Sequence, residues 1–186
     1  MRIQKTTIPG CYEIFPNILK DDRGHFVKTF HQDIFAEHGL VTGFAEEYYT
    51  YSHRGVLRGL HFQVPPMDHV KLITCVSGAV LDAVVDLRVG SPAYGRHLTL
   101  ELNAETANML YLPVGLAHGF FVQSAGALLL YKVTTVYSPA HDAGLLWNSA
   151  GIPWPERSPL ISARDGAFPS FADFKSPFAY SSSSPK

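Results

Sequence analysis

From about residue 56 to residue 137 the chain is a succession of short strand patterns closed off by glycine or proline, a rhythm that leaves little room for anything but an all-β fold. "HLTLEL" sets Leu98, Leu100 and Leu102 on one side and Thr99 and Glu101 on the other, the alternation of a half-buried antiparallel strand. In "AVLDAVVDLR" the apolar row is Leu81, Ala83, Val85 and Leu87. The opposite row is Asp82, Val84, Asp86 and Arg88, whose charge is expected to face a wet space. Gly78, Gly90, Pro92, Pro113, Gly115 and Gly126 punctuate these runs, and a jelly-roll barrel is the most economical architecture. Helix is scarce: "QDIFAEHG", residues 32–39, with Gln32 or Asp33 as cap and Gly39 as stop, predicts about two peripheral turns.

With 186 residues, 46% of them hydrophobic, the chain is expected to form one domain over residues 1–180, and "SSSSPK" at 181–186 to be a disordered tail. A formal charge of −1 supplies no field for nucleic acid or an anionic membrane, so an anionic ligand has to be held by local cations. The opening "MRIQKTTIPG" has no signal-peptide core and no segment reaches the roughly 18 apolar residues of a spanning helix, so a cytoplasmic protein is expected. Cys11 and Cys75 stand far apart, outside any CxxC pattern, and read as reduced buried thiols.

Chemistry concentrates in a few places. "RGVLRGLHFQ" carries Arg58 and His61 within an apolar strand pattern. Strict alternation puts them on opposite faces, and a bulge at Gly59 would bring both inward. Lys71, flanked by apolar residues in "MDHVKLITCV", is a cation expected to be buried near an anion. "LPVGLAHGF" resembles the second half-motif of metal-binding cupins, with His118 at the ligand position. His61 and His69, eight residues apart with no suitably placed glutamate, do not make the first half-motif, so no metal site is expected. "LLLYKVTTVYSP" places Tyr131 and Tyr137 on one strand parity, and "ISARDGAFP" sets Asp165 in a loop.

Taken together, "RGVLRGLHFQ", "KLITCVSGAVLDAVVDLRVGSPAYG", "LYLPVGLAHGF", "LLYKVTTVYSPAHDAGLLWN", "GIPWP" and "SARD" resemble, in order and spacing, the dTDP-4-dehydrorhamnose 3,5-epimerase family over about residues 1–172. The resemblance implies a cupin-like jelly roll that forms a homodimer, its N-terminal arm reaching the partner's site. It also implies a nucleotide-diphosphate sugar substrate and no metal or redox cofactor. It makes His61 the general base, Asp165 the carboxylate orienting it, Tyr131 the acid on the opposite face and Lys71 the cation that stabilises an enolate at C4. Asp82 falls beside that lysine; Arg23, Arg58 and His118 fall at contacts to the nucleotide-sugar, and Asp142 and Arg164 at further substrate contacts.

Two stretches depart from the family. "EEYY", Glu46 to Tyr49, stands where a Q-D-N-like segment is usual, and Lys28 where a glutamate is usual. Glu46 is a pure acceptor suited to an exocyclic amine and Tyr48 offers a stacking face, so a CDP-sugar is expected to be turned over at least as well as the dTDP-sugar. The chemistry implied is epimerisation of a nucleotide-linked 4-keto-6-deoxyhexose at C3, C5 or both, with dTDP as the default nucleotide and CDP as the other option. A 3,4-ketoisomerase of the same substrate class and a non-catalytic nucleotide-sugar binding module are the alternatives.

Overall fold

The computed structural model describes residues 1–181, so all of the Ser-rich tail but Ser181 lies outside the described residues. The chain opens with four strands of four residues each: β1 (Arg2–Lys5), β2 (Tyr12–Phe15), β3 (Ile18–Asp21) and β4 (Gly24–Val27). Helix α1 (Gln32–Glu37) follows, then β5 (Glu46–His53), β6 (Leu57–Gln63), β7 (Lys71–Ser77) and β8 (Ala79–Asp86). The last strands are β9 (His97–Asn103), β10 (Met109–Leu112), β11 (Leu116–Val122), β12 (Gly126–Val133) and β13 (Asp142–Gly144), before a short 3₁₀ turn, Asp165–Ala167.

A six-stranded sheet in the order β1-β2-β10-β7-β12-β5 faces a five-stranded one in the order β13-β6-β11-β8-β9, all neighbours antiparallel, and β3 and β4 form a separate hairpin. This is the expected jelly roll. Ile73, Leu110 and Leu129 of the first sheet meet Val84, Leu102 and Phe120 of the second in the barrel interior. The outer side of the second sheet is covered by the C-terminal segment, where Leu60, Ala83 and Val85 pack under Leu145, Ile152 and Phe178. The outer side of the first sheet is covered in part by α1, whose Phe35 packs on Ile14, Leu72 and Met109. Beyond that cover Tyr49, Tyr51 and Val76 stand exposed.

The alternation in "HLTLEL" is borne out: Leu102 is buried and Leu98 and Leu100 pack against the core. In β8 the apolar row turns outward beneath the C-terminal segment and the mixed row turns inward. That inward row is not wet. Asp86 is fully buried and its carboxylate accepts from the Arg88 guanidinium at 2.7 Å and from the Ser91 hydroxyl at 2.7 Å, a closed ion pair rather than a solvent-facing one. Gly39 ends the helix as expected, just past the His38 C-cap at a φ of +68°, whereas the N-cap is His31 and not Gln32 or Asp33, so both of those residues lie inside the helix. The N-terminal strands carry no clear alternation, and only the structure reveals them. Among the described residues no helix is long and apolar enough to cross a membrane.

Candidate active site

The site is organised by an irregularity in β6. His118 of β11 lies opposite His61 and Phe120 opposite Arg58, so three steps on β6 are matched by two on β11. The extra residue is a bulge at Gly59, and it brings Arg58 and His61 to line one cavity, as the sequence predicts. Gly59 has a φ of +128°, and a Cβ there would lie 2.5 Å from the Gly119 Cα. Gly59→Ala is therefore expected to destabilise the fold by about 2–5 kcal/mol through backbone strain and overpacking. Urea unfolding measures it, and a loss below ~1 kcal/mol would contradict the account.

The bulge also frees the Gly59 N–H, which donates to Asp165 Oδ2 at 3.0 Å, while His61 Nε2 donates to Asp165 Oδ1 at 2.9 Å. One buried carboxylate thus fixes the strand and the imidazole together, leaving Nδ1 as the free basic nitrogen. Burial alone would raise the Asp165 carboxyl, but the His61, Gly59 and Ser162 hydrogen bonds outweigh it and hold the group below its usual range.

Around His61 the cavity has a volume of about 420 Å³, within the range of small-molecule sites. Lys71 lines it, 6% exposed, its Nζ donating to the His61 carbonyl at 3.2 Å. Burial brings the ammonium down to about 8, against the opposing pull of Asp142 and Asp82. No salt bridge closes on it among the described residues. Next to it stands a second imidazole–carboxylate pair: His118 Nε2 donates to Asp82 Oδ2 at 2.8 Å, both groups buried. Burial lowers the His118 imidazole and raises the Asp82 carboxyl. Tyr131 reaches the same space from β12, and burial, then the neighbouring Tyr48 phenol, hold its hydroxyl well above the ordinary tyrosine value, so it stays a proton donor.

Of the other residues marked in the sequence, Glu46, Tyr48, Arg58, Asp142 and Arg164 line the cavity. Asp142 and Arg164 are paired with each other, and the Glu46 carboxylate accepts from the Tyr137 N–H at 2.9 Å. Arg58 Nε donates to the Ser52 hydroxyl at 2.8 Å. Arg23 and Lys28 do not line this cavity within one chain; the expectation sets the N-terminal arm at a partner's site. Arg23 sits exposed at the tip of the β3–β4 hairpin, tied to Asp21, and Lys28 lines a separate hollow between that hairpin and α1. Tyr137 lines the cavity from a loop, because β12 ends at Val133, and not from the strand parity it shares with Tyr131.

Sequence reasoning missed a polar knot on one wall. The Gln63 side-chain oxygen accepts from the Ser138 N–H at 2.6 Å, so its amide nitrogen is the end that donates to the Met67 carbonyl at 2.7 Å and meets His69 Nδ1 at 3.2 Å. Burial, then Lys71, lower the His69 imidazole to about 3, so it is a neutral structural group. The signal available was Gln63 itself, a polar residue on the same parity as His61.

A jelly roll that carries an imidazole–carboxylate pair, a buried ammonium and a buried phenol around one cavity has the apparatus of a proton-transferring isomerase. A profile of the dTDP-4-dehydrorhamnose 3,5-epimerase family matches residues 5–173. The chain is 40% identical over 168 residues to the dTDP-4-dehydrorhamnose 3,5-epimerase of Shigella flexneri, covering 89% of this chain and 93% of that one. It is 42% identical over 168 residues to the dTDP-4-dehydrorhamnose 3-epimerase of Streptomyces niveus, covering 89% and 81%. The crystal structure of the Legionella pneumophila 3,5-epimerase in complex with dTDP-4-keto-L-rhamnose superposes with a TM-score of 0.92 at 32% identity, covering 97% of this chain and 98% of that one. This chain belongs to the dTDP-4-dehydrorhamnose 3,5-epimerase family.

Proposed function

We propose that this cavity takes a dTDP-linked 4-keto-6-deoxyhexose and epimerises it at C3, C5 or both. The ketone at C4 acidifies the protons on both neighbours, so the reaction needs a base, a cation at the carbonyl oxygen and an acid on the far face. His61 removes the proton through Nδ1, and Asp165 holds the ring and stabilises the imidazolium. Lys71 stabilises the enolate oxygen, and Tyr131 returns a proton from the other side. Arg58 and His118 contact the nucleotide-sugar, with Asp82 holding His118, and Asp142 and Arg164 form a further substrate contact. The observation that carries the reading is the convergence of His61, Lys71 and Tyr131 on one cavity, with Asp165 behind the histidine.

The ammonium form of Lys71 is the useful one, present below about 8 and lost above it. The rate is therefore expected to fall as pH rises through about 8, well before the ordinary lysine range. A pH–rate profile that stays flat to pH ~10 would contradict the role given to Lys71.

Arg23 and Lys28 enter the reading through a homodimer. Leu19 and Phe26 are exposed on the β3–β4 hairpin, and Tyr49, Tyr51 and Val76 on the outer face of the six-stranded sheet, surfaces that a second copy of the chain would cover. A hairpin crossing to the partner's cavity would bring both cations to the nucleotide.

For the nucleotide, the structure weakens the case for cytosine made from "EEYY". Glu46 already accepts from a backbone N–H, and one face of Tyr48 lies against Tyr131. The Shigella, Streptomyces and Legionella proteins are all named for dTDP sugars. Competing dTDP- and CDP-4-keto-6-deoxyglucose in one tube is expected to consume the dTDP-sugar first, with the preference unaltered in Glu46→Gln. Earlier consumption of the CDP-sugar, reversed by Glu46→Gln, would restore the cytosine reading.

A further inference from the structure

Tyr131 does not stand alone in the cavity. Tyr48 of β5 is its cross-strand partner, and both side chains project to the same face of the sheet. Their rings are stacked, with centroids 4.8 Å apart and planes 14° from parallel. The His118 imidazole meets Tyr131 in an edge contact, with centroids 6.1 Å apart and planes 72° from parallel. Tyr131 is 4% exposed and Tyr48 37%, so the buried ring is held and the more open one holds it. A phenol that protonates one face of a planar enolate has to keep its oxygen on that face, and the stack opposes any swing of the ring about its Cα–Cβ bond.

We propose that Tyr48 is a positioning residue for Tyr131, keeping the phenol aimed at the enolate face opposite His61 through the cross-strand ring stack. The inference rests on the reading of Tyr131 as the acid. It assigns the ring of Tyr48, and not its hydroxyl, to the reaction, and to reprotonation rather than to abstraction or to nucleotide binding. Substituting the ring therefore affects the second half of the reaction more than the first.

The test uses the full chain with dTDP-4-keto-6-deoxyglucose in D2O, reading abstraction as total deuterium entry at C3 and C5 and inversion as epimer formed. Tyr48→Leu and Tyr48→Asn remove the ring, and Tyr48→Phe keeps it. With Leu or Asn, abstraction is expected within about threefold of wild type, inversion down ~10-fold or more, and KM within about twofold. Tyr48→Phe is expected to keep the wild-type ratio of inversion to abstraction. Equal falls in both rates, no change with Leu and Asn, or a Phe variant that behaves like Leu would each overturn the proposal. So would Leu and Asn variants too unstable to fold beside a Phe variant that folds, since Tyr48 would then be structural. A wild-type protein that exchanges neither proton overturns the proposed function itself, a result distinct from any of these.

Discussion

Replacing His61 by asparagine is expected to slow deuterium entry at the sugar by ~10²- to 10⁴-fold, the usual cost of losing a general base. The amide cannot take a proton from carbon at neutral pH, and it leaves Asp165 with the Gly59 N–H as its backbone partner, so the bulge that shapes the site keeps its anchor. Binding of dTDP is expected to survive, because the role proposed for His61 is on the sugar ring and the groups proposed for the nucleotide stand elsewhere. Exchange measured by proton NMR and dTDP affinity measured by titration separate the two effects. Exchange within about fivefold of wild type, in a variant that still binds dTDP, would remove His61 from the role of base.

The second large effect is expected at Tyr131. Tyr131→Phe removes the proton that the buried phenol retains and leaves the ring and its stack on Tyr48 in place. Abstraction by His61 is then expected to continue, while epimer formation falls by ~10²-fold or more. The recovered sugar should carry deuterium with its starting configuration, because the imidazolium proposed at His61 would exchange its proton with D2O and return a deuteron to the face from which the proton came. Product formation at the wild-type rate would show that another group, or water, protonates the far face.

Much of the site was legible in the sequence because the constraints are local. A glycine between an arginine and a histidine of opposite parity predicts a bulge, and β6 contains one. A lysine among apolar residues predicts a buried cation, and Lys71 is one. The remainder depends on contacts that alternation cannot report. Periodicity gives the face of Asp86 but not the neighbours that await it there, so the buried Arg88–Asp86 pair reads as a wet charged row. Strands β1 to β4 have four residues each, too few to display a period, and β5, "EEYYTYSH", presents hardly any apolar inner row. Tyr137 shares the parity of Tyr131 but lies past the end of β12, where parity has no meaning. The stack between Tyr48 and Tyr131 is invisible for the same reason: it is set by the β5–β12 register, which brings together residues 83 positions apart.

The family's members in Shigella and Streptomyces are named for different regiochemistry, 3,5 in one and 3 alone in the other, and this chain resembles both at similar identity. The roles proposed for His61, Lys71 and Tyr131 suit either outcome, since removal at C3 or at C5 draws on the same ketone. The measurement that reaches the central claim is therefore made on the wild-type protein: dTDP-4-keto-6-deoxyglucose in D2O, with the C3 and C5 protons followed by NMR. The account predicts loss of the signal at C3, C5 or both, with the matching epimer appearing while the carbonyl stays at C4. Retention of both protons, or migration of the carbonyl to C3 without an epimer, would contradict it.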